Sequence, residues 1–409
     1  MQYRDQTLYL EEVPLADVAR REGTPCYVYS RAGIVERLEA YDQAFGDVGH
    51  RVCYAVKANS NLAILKLLAA AGAGFDIVSG GELFRVLEAG ADPSAVIFSG
   101  VGKRADELDY ALEHRIRSFN CESEPELALI DSLAARRGAK AHIAVRVNPD
   151  VDAATHPYIS TGLRKHKFGI DIHEAESVYE RARALSNLVL DGVSCHIGSQ
   201  IVEIEPMLEV FDKMVALVER LRASGFEIRT LDLGGGLGVP YKPGDKTLGI
   251  CEFVQAMRKK VAGHGLEILI EPGRSIVAES GLLLTRVLYR KTNGDRQFII
   301  VDAAMNDLIR PALYHAHHEI VPLRLNQAGT INADVVGPVC ESGDFLARGR
   351  EMANVLPGDL LAVCTAGAYG FVAASNYNSR PRPPEILVEG DRYRVVRKRE
   401  TYQDLIRGE

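Results

Sequence analysis

The sequence lacks the features that mark membrane, secreted and nucleic-acid-binding proteins. No apolar run approaches the length of a membrane-spanning helix, and the first residues do not join a basic region to an apolar run as a signal peptide does. The seven cysteines are odd in number and form no CxxC pair, which does not indicate a disulfide framework. A formal net charge of -7 disfavours nucleic acid or an anionic membrane as a partner. We therefore expect a cytoplasmic protein with neither partner.

The length of 409 residues suits two domains. Short apolar runs alternate with helical patterns over residues 30–275, which predicts a TIM (β/α)8 barrel, with an open doubly wound sheet as the alternative. The predicted strands begin near Val52, Phe75, Ala95, Ile116, Ile143, Val193, Leu231 and Ile268. Strand patterns separated by turns predominate after residue 275, so residues 1–29 and 276–409 are predicted to form an antiparallel β domain.

Two charged residues end apolar runs of the predicted barrel, where functional side chains are expected. Lys57 follows the first run, and burial there would lower the pKa of its amine and favour the neutral form that attacks aldehydes. A lysine that extends past the strand end to water is the simpler interpretation. Glu271 ends the eighth run, where a protonated pyridine nitrogen would be a good partner and an arginine salt bridge is the alternative.

Two glycine-containing loops follow the seventh and eighth predicted strands. The first contains Gly234, Gly235 and Gly236, and the second contains Gly273 beside Arg274. TIM barrels often bind phosphate with the loops after these two strands, and bare glycines let backbone N–H groups approach an anion. A tight turn would explain the glycine run equally well.

Other candidates are polar residues in apolar or glycine-rich surroundings. His196 could stack on an aromatic ligand or be a satisfied core residue. Cys340 could donate a proton or be a small buried hydrophobic residue, and Tyr369 could contact a ligand between its glycine neighbours or belong to an aromatic core. His315 and His317 would share one face of a strand, but no Cys/His spacing resembles a zinc site, so no metal is predicted.

Seven motifs in this order resemble those of the fold-type III pyridoxal phosphate (PLP) decarboxylases, and within them the diaminopimelate decarboxylase family. They are YAVKAN at 54–59, HIGSQ at 196–200, GGGLG at 234–238, EPGR at 271–274, RPALYHAHH at 310–318, CESGD at 340–344 and AGAYG at 366–370. The likeness covers nearly the whole chain. It implies an alanine-racemase-like barrel and PLP-dependent conversion of meso-2,6-diaminopimelate to L-lysine and CO2, the last step of lysine biosynthesis. Alanine racemases place an arginine at the position of Glu271, so the chain resembles a decarboxylase more than a racemase.

The resemblance implies a role for each matching residue. Lys57 would hold PLP as a Schiff base, His196 would stack on its ring, and Glu271 would pair with the pyridinium nitrogen. Lys57, His196 and Cys340 would be the catalytic residues. The other cofactor-binding positions would be Asp76, Ser199, Gly234, Gly235, Gly236, Gly273, Arg274 and Tyr369.

The resemblance also implies a homodimer with shared active sites. Cys340 would reach the site of the neighbouring subunit, so that residues 1–29 and 276–409 contribute to catalysis across the dimer interface. The distal carboxylate of the substrate would be bound by Arg274, Arg310 and Tyr314, the distal ammonium by Glu341, and Tyr369 would contact both cofactor and substrate. Ornithine and lysine decarboxylases of this fold place an acid near the position of Arg310 instead.

The resemblance also predicts a lid over the site and leaves two alternative functions open. Residues 155–162, running on to 167–169, resemble the mobile loop of the family and are interpreted as a lid over the site. The enzymatic alternative is a decarboxylase of another amino acid, such as carboxynorspermidine, ornithine or arginine. The non-enzymatic alternative is a regulatory homologue.

Overall fold

The computed structural model describes residues 1–151, 167–325 and 328–409. It contains two compact units, which we call the barrel unit and the sheet unit. The barrel unit comprises Glu36–Val239 and Lys246–Ser275, and the sheet unit comprises Met1–Val35, Pro240–Asp245 and Ile276–Glu409. Most of the predicted lid, residues 155–162, lies outside the described residues.

Eight parallel strands close into a barrel within the described part of the barrel unit. Closure is complete because the fourth strand pairs with the fifth and the eighth pairs with the first. The predicted TIM barrel is therefore confirmed, and the open doubly wound sheet is excluded. The strands are His50–Ala55, Gly74–Ile77, Val96–Phe98, Ser118–Cys121, Ala141–Asn148, Leu188–Ser194, Thr230–Asp232 and Glu267–Ile270, and the short strand Ile170–Asp171 pairs with the fifth.

Helices alternate with these strands, and polar side chains cap the starts of several of them. Asn61 accepts a hydrogen bond from the backbone N–H of Ala63 at 2.9 Å, and Ser79 accepts one from that of Glu82 at 3.2 Å. The helices of this region are Arg31–Phe45, Leu62–Ala70, Gly80–Glu88, Ala105–Glu113, Glu124–Arg137, Ala175–Ala182, Glu205–Ala223 and Ile250–Val261.

The barrel interior combines an apolar cluster with small residues. Cys53, Ile97 and Leu269 form a buried cluster contributed by three strands. A Cβ on Gly74 would lie 2.7 Å from the carbonyl oxygen of Ala95, and one on Gly192 would lie 2.6 Å from a threonine hydroxyl of the seventh strand. Glycine at these two positions therefore lets the strands approach closely inside the barrel.

The sheet unit is built around a long central strand, Gly281–Asn293. The main path of its sheet runs in the order Phe345–Ala353, Thr330–Val336, Arg296–Val301, Gly281–Asn293, Cys26–Ser30, Glu385–Glu389 and Arg392–Arg397. Most pairings are antiparallel, as predicted, but Arg296–Val301 with Thr330–Val336 and Cys26–Ser30 with Glu385–Glu389 are parallel. The sheet is thus mixed rather than purely antiparallel.

Further elements extend this unit. Leu360–Val363 pairs with both the central strand and Ile320–Pro322. The remaining elements are the strands Gln2–Arg4, Thr7–Leu10 and Val13–Pro14 and the helices Leu15–Glu22, Arg310–Tyr314 and Tyr402–Leu405. Among the helices of the described ranges, none has the length and apolar character needed to cross a membrane.

Candidate active site at the carboxyl end of the barrel

Lys57 lies immediately after the first barrel strand and is paired with an acid from the second. Its Nζ lies 2.6 Å from Oδ2 of Asp76, whose side chain is fully buried. The Lys57 side chain itself is 36% exposed, so the expected deep burial of the amine is wrong. The strand ends at Ala55, and Lys57 lies in the 3-10 turn Val56–Ala58 that follows it.

A buried acid cluster lies at the ends of neighbouring strands. Glu271 Oε1 accepts hydrogen bonds from Ser99 Oγ at 3.2 Å and from Asn120 Nδ2 at 3.1 Å. Asn120 Nδ2 also donates to Asp232 Oδ2 at 2.9 Å, so one amide group bridges the two acids. Burial is the main reason that the pKa of Glu271 is raised well above its usual range, and the negative charge of Asp232 raises it further. Ser99 and Asn120 therefore donate to the Glu271 carboxyl group, and no arginine of the described residues forms the salt bridge that was the alternative.

The same region contains buried acceptor atoms that lack a donor. Asp76 Oδ1, Asn120 Oδ1 and Ser194 Oγ have no hydrogen-bond partner among the described residues. Buried oxygens without a donor are costly unless a ligand supplies one. A protonated ring nitrogen and an amine are such donors, so the residues present fit PLP.

His196 follows the sixth strand, and its ring is fixed by the glycine loop. The backbone N–H of Gly235 donates to its Nδ1 at 3.2 Å, which places the ring hydrogen on Nε2. Burial, together with the positive charges of Arg146 and Lys57, lowers the pKa of His196 well below its usual value. The imidazole is therefore neutral and has one defined orientation, as a stacking partner requires.

The glycine run is required by contacts within the protein. A Cβ on Gly235 would lie 2.2 Å from the carbonyl oxygen of Glu271, and one on Gly236 would lie 2.7 Å from that of Gly198. On Gly273 it would lie 2.8 Å from Cβ of Ala58. The loops after the sixth, seventh and eighth strands thus pack backbone to backbone, and Gly273 packs against the side chain of Ala58 after the first strand. These contacts explain the glycines without reference to an anion.

Arg274 and Ser199, two predicted cofactor-binding residues, are brought together. Arg274 is 7% exposed, and its Nη2 and Nε donate to Ser199 Oγ at 2.9 and 3.3 Å. A buried guanidinium beside a hydroxyl and two glycine loops has the donors that a phosphate group needs.

Ten of the predicted site residues therefore converge at one end of the barrel. They are Lys57, Asp76, His196, Ser199, Gly234, Gly235, Gly236, Glu271, Gly273 and Arg274.

Several polar residues near this cluster were absent from the predicted site, and Asp232, Arg146 and Glu122 are three of them. Asp232 is an acid inside the apolar strand Thr230–Asp232, and an acid two residues before a glycine run is the signal that could have identified it. Arg146 and Glu122 form a buried ion pair at 2.8 Å, and the other Glu122 oxygen accepts from the backbone N–H of Gly169 at 2.8 Å. Both lie at ends of predicted strands, but their mutual pairing is set only by barrel closure.

The remaining predicted residues lie in the sheet unit. Arg310 begins the helix Arg310–Tyr314 and is buried, whereas Tyr314 is half-buried at its end. Cys340 and Glu341 are exposed, so the interpretation of Cys340 as a buried hydrophobic residue is wrong. Tyr369 is half-buried and has a left-handed backbone conformation with φ of 55°.

The histidines after this helix do not form a strand, so the prediction that His315 and His317 share a strand face is wrong. His315 ends the helix with φ of 52°, and residues 315–319 are irregular. His317 lies 3.2 Å from Glu319 Oε2 and 3.0 Å from Arg350 Nη2, contacts that fit a structural role. The described residues contain no cluster of metal-binding side chains.

Comparison with known proteins identifies the family. The family model for the pyridoxal-dependent decarboxylase, pyridoxal binding domain, matches residues 31–278. The diaminopimelate decarboxylase of Pseudomonas aeruginosa is 54% identical over 407 residues, covering 100% of this chain and 98% of that protein. That of Vibrio cholerae is 51% identical, covering 98% and 96%. The crystal structure of Helicobacter pylori diaminopimelate decarboxylase complexed with L-lysine matches with a TM-score of 0.92 and 44% identity, covering 96% of this chain and 98% of that one.

The chain belongs to the pyridoxal-dependent decarboxylase family. Its full-length similarity to two diaminopimelate decarboxylases confirms the resemblance drawn from the seven motifs. The predicted cofactor, PLP, and the predicted class of enzyme, a carboxy-lyase, are confirmed with it. For a pyridoxal-dependent decarboxylase, the cluster at the barrel end supplies an amine, a buried acid and donors for a phosphate in one place.

Proposed function

We propose that this chain converts meso-2,6-diaminopimelate to L-lysine and CO2 with PLP as cofactor, the last step of lysine biosynthesis. One observation carries the proposal. Lys57 with its acidic partner Asp76, at 2.6 Å, and the buried acid Glu271 lie at one end of the barrel in a chain that is 54% identical over its full length to the diaminopimelate decarboxylase of Pseudomonas aeruginosa. A buried glutamate, unlike an arginine, can keep a proton on a ring nitrogen, which favours decarboxylation over racemisation.

Bound PLP supplies an electron sink for the carbanion that remains when CO2 leaves. Nζ of Lys57 is the atom that would hold the cofactor, and Asp76 would orient that amine through its short hydrogen bond. Glu271 would hold the proton of the ring nitrogen, while the neutral ring of His196 would stack on the cofactor. Arg274 and Ser199, with Gly234, Gly235, Gly236 and Gly273, would bind the phosphate.

Substrate choice depends on the distal end of the molecule, which in diaminopimelate carries a carboxylate and an ammonium. Arg274, Arg310 and Tyr314 would bind the carboxylate, Glu341 would bind the ammonium, and Tyr369 would contact both cofactor and substrate. An arginine about 4 Å from the distal ammonium of a simple diamine-forming substrate would repel it by roughly 4 kcal/mol at an effective dielectric constant of 20. Such a penalty disfavours that substrate by roughly several hundredfold.

A substrate panel tests the proposal. Purified enzyme loaded with PLP is incubated with meso-diaminopimelate, ornithine, arginine and carboxynorspermidine, and CO2 release and the product are measured. L-lysine from diaminopimelate is the expected main product. Faster turnover of any other member would replace the proposed substrate while leaving the family assignment intact.

A second measurement separates an enzyme from a regulatory homologue. Borohydride reduction should fix the cofactor to Lys57, so a peptide containing this residue should gain the mass of reduced PLP. The Lys57→Ala protein serves as the control and should show no adduct. An adduct on another side chain, or none in protein incubated with PLP, would overturn the assigned role of Lys57.

We also propose that two copies share their active sites, with Cys340 donating a proton to the carbon that has lost CO2 in the site of its partner. Cys340 and Glu341 are exposed in the single chain, which leaves them available to a second copy. This assembly would give residues 1–29 and 276–409 a catalytic part in the neighbouring barrel of residues 30–275.

Because each of the seven cysteines is a free thiol, we place the enzyme in the reducing cytoplasm.

Complementation tests the shared site. A Lys57→Ala chain and a Cys340→Ala chain, each inactive alone, are mixed under conditions that exchange subunits. A mixed dimer would contain one intact site, so about a quarter of wild-type activity should return in an equal mixture. The control mixes the Lys57→Ala chain with the double variant Lys57→Ala/Cys340→Ala, which should recover nothing. Failure of the first mixture despite proven exchange would contradict the shared site.

A further inference from the structure

Among the described residues, His318 is the most deeply buried histidine that the proposed chemistry does not use. Its side chain is 0% exposed, and it lies between the helix Arg310–Tyr314 and the strand Ile320–Pro322. The left-handed turn at His315 reverses the chain, so that His318 returns to the start of the helix. There it meets Arg310, the residue proposed above to bind the distal carboxylate.

Two hydrogen bonds define the protonation state of His318. Nε2 lies 2.8 Å from Nη1 of Arg310, and Nδ1 lies 2.8 Å from the carbonyl oxygen of Cys364. A guanidinium can only donate and a carbonyl can only accept. Nδ1 therefore carries the hydrogen, Nε2 presents its lone pair to Arg310, and the ring is neutral. A second proton on Nε2 would set two N–H groups against each other.

Tyr241 holds the same guanidinium from a second direction. The Arg310 guanidinium carbon lies 4.5 Å from the centroid of the Tyr241 ring, within the range of a cation–π contact. The Tyr241 and His318 rings are 5.3 Å apart and nearly perpendicular, at 80°. Arg350 Nη1 donates to the backbone carbonyl of His318 at 2.9 Å, which anchors the segment. Arg310 is thus held by an acceptor at its edge and by an aromatic face.

We propose that His318 is a positioning residue that orients Arg310 for the distal carboxylate of the substrate and so contributes to specificity. This inference rests on the proposed function. A neutral imidazole orients the guanidinium without cancelling its charge, whereas an aspartate or glutamate in its place would neutralise that charge. His318 therefore leaves the positive charge of Arg310 intact, which is what a carboxylate site requires.

Two substitutions of His318 separate positioning from structural support. His318→Gln places an amide oxygen near the position of Nε2, where it can accept from Arg310. His318→Asn is shorter: its amide can still donate to the carbonyl of Cys364 but does not reach Arg310. His317→Gln is the matched control. It changes a neighbouring histidine in the same way, but the side chain of His317 contacts Glu319 and Arg350, whereas that of His318 contacts Arg310.

The readouts are the KM and kcat for meso-diaminopimelate and the inhibition constants of L-lysine and 1,5-diaminopentane. L-lysine retains the distal carboxylate and 1,5-diaminopentane lacks it. For His318→Asn we expect about a tenfold or larger rise in both KM and the L-lysine inhibition constant, as for a lost hydrogen bond to a charged group. The kcat and the cofactor content should change little, and the diaminopentane constant should stay the same or fall, because Arg310 repels the distal ammonium of that diamine. His318→Gln should retain most of the affinity for diaminopimelate and L-lysine that His318→Asn loses, and His317→Gln should resemble the wild type.

Three results would overturn the inference. They are equal effects of the Gln and Asn variants, a parallel weakening of both inhibitors, or a loss confined to kcat. Wild-type enzyme that does not decarboxylate diaminopimelate would instead overturn the proposed function, and that result is visible before any variant is made.

Discussion

The carboxyl groups of Asp232 and Glu271 accept hydrogen bonds from a single amide nitrogen, Nδ2 of Asn120, at 2.9 and 3.1 Å. Both acids are buried, and the negative charge of Asp232 disfavours ionisation of Glu271, so the pair retains a proton. Burial and the neighbouring charge raise the pKa of Glu271 well above its usual range. A cation placed against this pair would therefore be held firmly.

Replacing Glu271 by Gln should stabilise the cofactor-free protein at alkaline pH while removing most activity. The native carboxyl group retains a proton that the unfolded chain releases, so stability falls as pH rises through the raised pKa. Gln keeps an oxygen for Ser99 and Asn120 and offers an amide donor to Asp232, but it has no proton to lose. We expect its Tm to exceed that of the wild type by about 2 °C or more at pH 9 and to match it near pH 5.

Activity of Glu271→Gln should fall about a hundredfold or more, because the amide cannot hold a proton on the ring nitrogen. Thermal unfolding of the cofactor-free proteins and turnover of the loaded enzymes are the two measurements. Full activity of the variant would contradict this account of the pair. So would a Tm difference between variant and wild type that is smaller at pH 9 than at pH 5.

Barrel strands are predictable from sequence because each is a short apolar run, and the run predicted near Val52 is the strand His50–Ala55. The strand Phe345–Ala353 escaped prediction because it contains Arg348, Arg350 and Glu351. It lies at one edge of its sheet, where charged side chains are accommodated and discourage pairing with another chain.

The site was predictable at the level of motifs but not of pairings. Lys57 and Glu271 could be identified because charged residues at the ends of apolar runs are uncommon. The contact between Asn120 and Asp232 joins residues 112 positions apart, and only closure of the barrel brings them together. The same holds for the partial exposure of Lys57, since the 3-10 turn that contains it has no signature in the sequence.

Glu82 should make the cofactor-free protein less stable as pH rises towards neutrality. Burial raises its pKa to about 7, the charge of Asp76 contributes, and a hydrogen bond from the backbone N–H of Val78 at 2.8 Å opposes the shift. A raised carboxyl pKa means that the folded state keeps a proton between about pH 4.3 and 7, so stability is lost over that window. Glu82→Gln retains an acceptor for Val78, and its free energy of unfolding should exceed that of the wild type by about 1–3 kcal/mol above pH 7.

Urea unfolding at pH 5 and 8 measures the effect of Glu82→Gln, with the exposed Glu39→Gln as the control. An equal gain in stability at both pH values would rule out the raised pKa of Glu82 as its source.

Glu400 should have the opposite effect in the sheet unit. Burial opposes its charge, but hydrogen bonds from Arg382 and Asn376 prevail and lower the pKa to about 2. Stability from a lowered carboxyl pKa is present above the unfolded value of about 4.3 and is lost as pH falls towards 2. Glu400→Gln should therefore cost about 1–3 kcal/mol at pH 7 and progressively less below pH 4.

Chemical denaturation at pH 7 and pH 3.5 measures the Glu400 effect. Asp391→Asn is the control, because Asp391 forms an exposed ion pair with Arg392 at 3.5 Å and should change stability by less than about 0.5 kcal/mol. A cost for Glu400→Gln that does not shrink on acidification would show that the carboxylate charge is not its source.

Gly235 should be intolerant of any side chain, for a steric reason that can be separated from backbone strain. A Cβ there would lie 2.2 Å from the carbonyl oxygen of Glu271, although the backbone conformation of Gly235 is one that other residues adopt. Gly225 is the reverse case, with φ of 84° and nothing within 4 Å of a built Cβ. Gly225→Ala should cost about 1 kcal/mol, the usual penalty for a left-handed alanine.

Gly235→Ala should cost about 3 kcal/mol or more, because the clash is with backbone that cannot move independently of the acid cluster. The shift should also disturb the hydrogen bond from Gly235 to His196 and displace Glu271, so the variant should bind PLP poorly even where it folds. Denaturant unfolding gives the stability, and the visible absorbance of the purified protein gives the cofactor content. If Gly235→Ala and Gly225→Ala lower the free energy of unfolding equally, the loops after the sixth, seventh and eighth strands can separate. The cofactor site would then not depend on the close packing of these loops.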